Sequence, residues 1–164
     1  MRVWVDADAC PVAVKEILFR AADRRCITVT LVANRMLRTP PSRYIRAWQV
    51  AHGFDVADQR IVAELTAGDL VVSADVPLAA EAVARGARVI TPHGELYDTN
   101  NIGEALAMRN FMQELRAGGV ETGGPAAFSA ATTRRSFPNC KRYWSSLVWS
   151  SSAAGSRRAS RHSI

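Results

Sequence analysis

Two short apolar segments of the chain are each followed by an aspartate. Asp6 follows residues 1–5, and Asp75 follows residues 70–74 (LVVSA). Ligands of an open parallel sheet bind beyond the carboxyl ends of its strands, so we expect these two carboxylates to share one edge. Three further aspartates are placed to reach the same edge: Asp8, two residues after the first, and Asp55 and Asp58, just before an intervening helix.

A cluster of carboxylates predicts the chemistry of a divalent cation. Like charges raise each other's pKa when they are brought together, and a bound cation removes that cost. Oxygen ligands without His or Cys favour Mg²⁺ or Mn²⁺ over zinc. Such an ion lowers the pKa of bound water and neutralises charge that develops on a phosphate, so the pattern indicates phosphoryl chemistry.

Each aspartate also has a simpler structural interpretation when it is taken alone. Asp75 stands at a typical helix start, where aspartate caps the first turn, and Asp8 stands shortly before Pro11 in the same way. Asp69 follows a glycine and is typical of a turn. A joint role is favoured for Asp6 and Asp75 because both end apolar strands.

The elements that must position these residues alternate between strand and helix. Short apolar runs predict strands at 1–5, 27–33, 70–74 and 87–90. Helical spacing of apolar residues predicts helices at 11–24, 58–65, 77–85 and 102–116. Residues 43–50 are ambiguous between the two. The alternation predicts a three-layer α/β fold, with a mostly parallel sheet and helices on both faces.

Length and composition limit the class of protein. A chain of 164 residues has room for one domain, and 48% hydrophobic with 22% charged residues excludes a wholly disordered chain. No run approaches the ~18 apolar residues of a membrane span, and the first residues lack the apolar core of a signal peptide. We therefore expect a cytoplasmic protein. Cys10, Cys26 and Cys140 are too widely spaced to predict a disulfide framework or a zinc site.

The positive net charge of +6 comes from one end of the chain. Residues 1–133 hold 14 basic and 15 acidic residues, whereas residues 134–164 hold 7 basic residues, nine serines and no acid. We therefore divide the chain into an α/β domain at 1–133 and a weakly ordered basic tail at 134–164. Such a tail could contact RNA phosphates or an acidic membrane surface, or it could be an extension without function.

Five segments, in this order, resemble the YaiI/YqxD family of bacterial proteins. They are VDADACP at 5–11, LVAN at 31–34, GFDVAD at 53–58, GDLVVSADVPLA at 68–79 and TGGP at 122–125. That family has no demonstrated activity, but it is similar to PIN-like and NYN-type nuclease domains. The resemblance therefore implies a PIN-like fold and metal-dependent cleavage of RNA. The serine-rich end from Ser136 departs from the family and resembles translation in a shifted frame or a strain-specific extension.

The resemblance also implies roles for individual residues. In those nuclease domains one Asp ends the first strand, which Asp6 matches, and another follows a central strand in a Ser-x-Asp context, which Asp75 matches. A further acid before the intervening helix is matched by Asp58, or less closely by Asp55. The resemblance thus implies that Asp6, Asp58 and Asp75 hold Mg²⁺ or Mn²⁺. It implies catalytic roles for Asp6, Asp8 and Asp75, with Asp8 as a further ligand or as the group that orients a water.

Two other functions fit the same residues. Asp6 and Asp8 resemble the opening of haloacid-dehalogenase-like phosphatases, where the first Asp is a nucleophile and the second a general acid/base. No lysine stands between Lys15 and Lys141 to act as the cationic partner of that chemistry, and Asp69 precedes its strand rather than following one. The other function is a non-catalytic RNA- or protein-binding module, in which the acids are only caps and turns.

A stretch rich in arginine and aromatic residues offers a second contact for nucleic acid. It contains Arg35, Arg38, Arg43 and Arg46, with Tyr44 and Trp48 among them. Arginines bind phosphates and aromatic rings stack on bases, so this stretch could hold RNA. A solvated loop with one aromatic residue anchored in the core fits it equally well.

Overall fold

The computed structural model describes residues 1–53 and 55–119, and these form six strands and four helices. The strands are β1 (Val3–Asp6), β2 (Val29–Ala33), β3 (Ile45–Gln49), β4 (Leu70–Val72), β5 (Arg88–Ile90) and β6 (Leu96–Tyr97). The helices are α1 (Val12–Arg25), α2 (Val56–Glu64), α3 (Val76–Ala84) and α4 (Ile102–Ala117). The predicted domain boundary at 133 and the predicted tail lie outside the described residues.

The strands form one sheet in the order β3-β2-β1-β4-β5-β6. The first five are parallel, and β6 pairs antiparallel with β5. The chain first builds outward from β1 through β2 and β3, then returns to place β4 on the other side of β1. The point where the strand order reverses therefore lies between β1 and β4, which is where open α/β sheets bind their ligands.

Alternation along β1 divides the core between the two faces of the sheet. Val3 and Val5 pack on the face covered by α1, whereas Trp4 packs on the face covered by α2 and α3. All three side chains are at most 1% exposed. Burial of each such side chain contributes roughly 1.5–3 kcal/mol, so β1 is held firmly in the centre of the sheet. The predicted three-layer α/β fold is confirmed.

The structure resolves the ambiguous stretch at 43–50 as strand β3. It is an edge strand, and of its five residues only Ile45 is buried, which is why its apolar pattern is weak. Strand β6 was not predicted because it has only two residues. It follows a tight turn in which Gly94, at φ 89°, donates its N–H to the carbonyl of Thr91.

Helix α4 lies against α3, but none of its side chains is fully buried. Ile102 and Ala105 pack partly against the core, while Met108 and Phe111 are 58% and 55% exposed. No helix within residues 1–53 and 55–119 combines the length and the apolar character needed to cross a bilayer.

Candidate active site

Beyond the ends of β1 and β4 lies a cleft of about 390 Å³, which we call the acidic cleft. All five aspartates that the sequence places at this edge line it: Asp6, Asp8, Asp55, Asp58 and Asp75. Asn34, which follows β2, is a further polar residue of the lining, and Gly53 also lines the cleft. The carboxylates come from three separate parts of the chain, so it is the parallel sheet that brings them together.

Ser73 connects the two strand ends on which the acidic cleft is built. Its hydroxyl donates to Oδ2 of Asp6 at 3.1 Å and accepts the backbone N–H of Asp75 at 3.0 Å. Oδ1 of Asp75 in turn accepts the N–H of Leu78 at 2.9 Å, so Asp75 is the N-cap of α3. The helix-cap interpretation of Asp75 is therefore confirmed, and the same residue also lines the cleft.

Asp6 is a buried carboxyl group, 7% exposed. Burial raises its pKa, hydrogen bonds from Ser73 and from the N–H of Ala9 lower it, and the nearby charge of Asp8 raises it again. The net result is a pKa above the ordinary value. Asp6 therefore carries its charge at an electrostatic cost in this site.

Asp58, in the first turn of α2, shows the strongest electrostatic effect of the cleft. Burial raises its pKa most, and the charges of Asp6, Asp75 and Asp55 raise it further, to about 6. The position of Asp58 in the first turn also places its charge near the positive end of the helix dipole. Carboxylates from β1, α2 and α3 thus interact electrostatically across one cleft.

Asp8 is exposed at the mouth of the cleft and is held by the residues that follow β2. Its Oδ2 accepts the N–H of Asn34 at 2.7 Å, and its Oδ1 lies 3.6 Å from Nε of Arg35. These contacts join the loop after β1 to the loop after β2.

Lys15 is a residue of this region that the sequence did not predict. It is buried in α1, and its Nζ donates to the carbonyl of Ala7 at 3.0 Å, within the loop that joins Asp6 to Asp8. It faces the core together with Val14 and Leu18. A lysine among the apolar positions of a helix is the signal that could have revealed it.

The segment leading to Asp58 is shaped by two local features. Asp55 has a left-handed backbone, at φ 58°, and its side chain does not cap α2. A Cβ added at Gly53 would lie 2.6 Å from Cγ2 of Val56, so the absence of a side chain there lets the loop pack closely on the helix.

Asp69 lies outside the acidic cleft. It directly precedes β4, at the amino ends of the strands, whereas the cleft lies beyond their carboxyl ends. It is 3% exposed and accepts hydrogen bonds from Arg2, from Nε1 of Trp4 and from Thr66. Its N–H donates to the carbonyl of Thr66 at 3.0 Å, which confirms that it is a turn residue. Asp69 therefore holds together the start of β1 and the start of β4.

The acidic cleft as it stands does not present a ready-made set of three ligands. Within residues 1–53 and 55–119, no three side chains of His, Cys, Asp or Glu are arranged so that they could hold one metal ion. The cleft supplies hard oxygen donors and mutual repulsion between them, rather than a closed coordination cage.

The sequence profile of the YaiI/YqxD family, a family described as uncharacterised, matches residues 4–142. This match spans most of the chain, including every element around the acidic cleft. The chain belongs to the YaiI/YqxD family. The resemblance noted in the sequence is thereby confirmed.

Relatives that carry the name UPF0178 protein are similar to the chain over nearly their whole length. The one from Dechloromonas aromatica is 64% identical over 139 residues, covering 85% of this chain and 92% of its own. Those from Bordetella avium and Shewanella amazonensis are 60% and 54% identical, covering 85% and 88% of this chain and 90% and 96% of their own. None of the solved structures matches this chain significantly.

Proposed function

We propose that this YaiI/YqxD protein is a phosphodiesterase that uses Mg²⁺ or Mn²⁺ in the acidic cleft to cleave RNA. One observation carries the proposal. Five aspartates from separate parts of the chain line one cleft at the β1/β4 switch point, and burial together with the charges of Asp6, Asp75 and Asp55 raises the pKa of Asp58 to about 6. Perturbed carboxylates gathered in a cleft are a marker of functional sites.

The residues of the cleft fit a hydrated hard cation. Mg²⁺ usually keeps several waters and is bound by one or two carboxylates together with substrate phosphates. A cleft without three converging ligands is therefore compatible with this ion. One or two of Asp6, Asp58 and Asp75 would bind it directly and the others through its waters. Its charge would relieve the repulsion that, in addition to burial, raises the pKa of Asp58.

Hydrogen bonds from neighbouring groups orient the carboxylates of Asp6 and Asp75. Ser73 fixes one oxygen of Asp6, and the helix cap fixes one oxygen of Asp75. Asp8, held by Asn34 at the mouth, is placed to accept a hydrogen bond from a water that enters the cleft. When it is bound, a divalent cation lowers the pKa of water and neutralises charge on a phosphate, which is the chemistry that phosphodiester hydrolysis needs.

The position of Lys15 favours this function over a phosphatase of the haloacid-dehalogenase type. That chemistry needs a cationic side chain beside the nucleophilic aspartate. Lys15, the one lysine within the described residues, does not line the acidic cleft, and its Nζ donates to the carbonyl of Ala7. Asp69 precedes β4 rather than following a strand, accepts the N–H of Arg2, and does not line the acidic cleft.

Thermal melting during titration with MgCl₂ or MnCl₂ tests the metal site. Binding to the folded state at 100 times Kd stabilises it by about 2.7 kcal/mol, so Tm should rise. A D6N/D75N double variant should lose that rise, and an E16Q/E114Q variant, with the same change in charge but on exposed helix positions, should keep it. An unchanged Tm for the wild type, or an equal rise in the D6N/D75N protein, would contradict the metal site.

Cleavage assays then separate the possible activities. We expect a labelled single-stranded RNA to be cut in the presence of Mn²⁺ and to stay intact with EDTA or with D6N/D75N. Release of phosphate from a small phosphomonoester without RNA cleavage would favour the phosphatase. Binding of metal with neither activity would favour a non-catalytic module.

A further inference from the structure

A second groove, of about 810 Å³, runs between the edge strand β3 and helix α2. We call it the β3–α2 groove. Trp48 and Val50 line it from the strand side, and Gln59 and Arg60 line it from the helix side. Helix α2 also carries Asp58 of the acidic cleft, so the two depressions are neighbours along one helix.

Trp48 is the fixed aromatic group of this groove. Its ring meets that of Trp4 edge to face, with centroids 5.3 Å apart and planes at 67°. The guanidinium carbon of Arg60 lies 4.9 Å from the centroid of the Trp48 ring. The ring thus contacts Trp4 of the core and the guanidinium of Arg60, and it is half-buried while it lines the groove.

The register of the sheet places Trp48 close to the acidic cleft. Asp6 pairs with Val32, and Val32 pairs with Trp48. Paired residues of parallel strands point to the same face, so Asp6 and Trp48 share the face covered by α2. Their Cα atoms are separated by two inter-strand spacings, which is roughly 10 Å.

Two arginines lie near the ring of Trp48, whereas the carboxylates of the neighbouring acidic cleft repel phosphates. Arg46 is exposed, and because it lies two residues before Trp48 it projects from the same face of β3, roughly 7 Å away. Arg46 offsets the negative charge of the neighbouring cleft for an approaching polyanion, and Arg60, whose guanidinium also pairs with Glu64 at 3.1 Å, adds to this effect. Two other arginines of this stretch are placed differently: Arg35 lies at Asp8, and Arg43 lies over Tyr44.

We propose that the β3–α2 groove is a nucleobase subsite for a single-stranded polynucleotide. A base stacks on the Trp48–Arg60 pair, the adjoining phosphates contact Arg46 and Arg60, and the strand continues over the acidic cleft. Single strands are favoured because their bases are free to stack on aromatic rings and guanidinium planes. This inference rests on the proposed function for the direction of the strand, but the stacking itself requires no metal.

Binding of a labelled 12-nucleotide RNA, measured by fluorescence anisotropy in EDTA, tests the subsite in the full chain. Loss of one stacked base costs about 1–3 kcal/mol, so W48L should bind about 10-fold more weakly, whereas W48F should stay within about 3-fold of the wild type. R60M should weaken binding and lower its dependence on salt. The matched controls are Y44L and R43M, which alter another arginine–aromatic pair, 5.0 Å apart and outside the groove.

Several results would overturn the subsite. These are an absence of RNA binding by the wild type, equal binding by W48L and wild type, or equal losses in the Tyr44 and Trp48 variants. W48F and R60M keep the test valid if W48L folds poorly, since both leave a bulky side chain in place. Single-stranded DNA of the same sequence should show the same dependence on Trp48, and a duplex should not.

The test is also independent of the proposed function. Binding that depends on Trp48, without cleavage or a metal-dependent rise in Tm, would support the subsite and contradict the nuclease. Cleavage that is unchanged by W48L would support the nuclease and contradict the subsite.

Discussion

At the scale of the residue, Asp58 couples the stability of the protein to the charge of its cleft. Its pKa is raised from 3.8 to about 6 by burial and by the neighbouring carboxylates, so the folded state binds this proton more tightly than the unfolded chain does. Ionisation of Asp58 as pH rises through this range therefore lowers the free energy of unfolding. We expect D58N to be more stable than the wild type at pH 8, by about 1–2 kcal/mol after solvent screening.

Urea denaturation in EDTA at several pH values measures this effect. The advantage of D58N should shrink as pH falls through 6 and be absent below about 4. E81Q on α3 is the matched control, because Glu81 is the last of the five causes that raise the pKa of Asp58, and its removal should give a smaller gain. A D58N protein that is less stable than the wild type at pH 8 would show that the carboxylate is not repelled by its neighbours.

Asp69 should behave in the opposite way. Burial alone raises its pKa, but hydrogen bonds from Arg2, Trp4 and Thr66 outweigh burial and hold the pKa below its ordinary value. A lowered pKa contributes stability above about pH 4, and that stability is lost as pH falls through the folded-state value. We expect D69N to lose about 2–3 kcal/mol at pH 7 and less in acid, in urea denaturation, because a buried charged acceptor is removed.

Titration with metal tests whether Asp69 influences the acidic cleft. D69N should show the same rise in Tm with Mn²⁺ as the wild type, measured from its own lower starting point. A D69N protein that has lost the metal effect would mean that Asp69 acts on the cleft through the sheet and is more than a turn residue.

At the scale of the element, the sequence predicted the strand ends better than the contacts between elements. Asp6 and Asp75 could be placed at one edge because each follows an apolar run, and buried parallel strands are read from such runs alone. The contact of Arg60 with Trp48 could not be predicted, because only the crossing of α2 over β3 brings the two together. Lys15 is not predicted for a similar reason. Its acceptor, the carbonyl of Ala7, lies outside α1, so the sequence shows a lysine among apolar helix positions but not the group that it contacts.

The approach of the loop at Gly53 to helix α2 gives a prediction for one element. In G53A the new Cβ would meet Cγ2 of Val56 at 2.6 Å, so the side chain of Val56, or the start of α2 that carries both Val56 and Asp58, must shift. We expect the Mn²⁺-dependent rise in Tm to fall in G53A, since a metal site is sensitive to small displacements of its ligands. The double variant G53A/V56A, which removes the obstructing methyl group, should recover the rise.

The control for this element is G103A, in the first turn of α4, where a new Cβ meets nothing within 4 Å. It should leave the metal effect unchanged. An unaltered metal response in G53A, or a loss that V56A does not restore, would mean that the spacing between Gly53 and Val56 does not set the cleft.

At the scale of the whole molecule, the sequence divides charge between a nearly neutral stretch, residues 1–133, and a basic stretch, residues 134–164. Residues 1–133 hold 14 basic and 15 acidic residues, and residues 134–164 hold 7 basic residues and no acid. If this end binds RNA phosphates, it adds affinity without selecting a base, because such contacts carry no sequence information. The Trp48 subsite adds stacking, which depends little on salt. The two contributions can therefore be separated by ionic strength.

A chain that ends at residue 133 should reveal this division. The slope of log K for single-stranded RNA against log salt concentration should become shallower by up to ~5, because each of 7 neutralised phosphates contributes about 0.7 for single strands. The ratio of affinities between the wild-type and W48L forms should stay the same in the shortened chain, since stacking lies in the β3–α2 groove. Tm of the shortened protein without RNA controls for folding. An unchanged salt slope would show that residues 134–164 do not contact the nucleic acid, and would favour an extension without function.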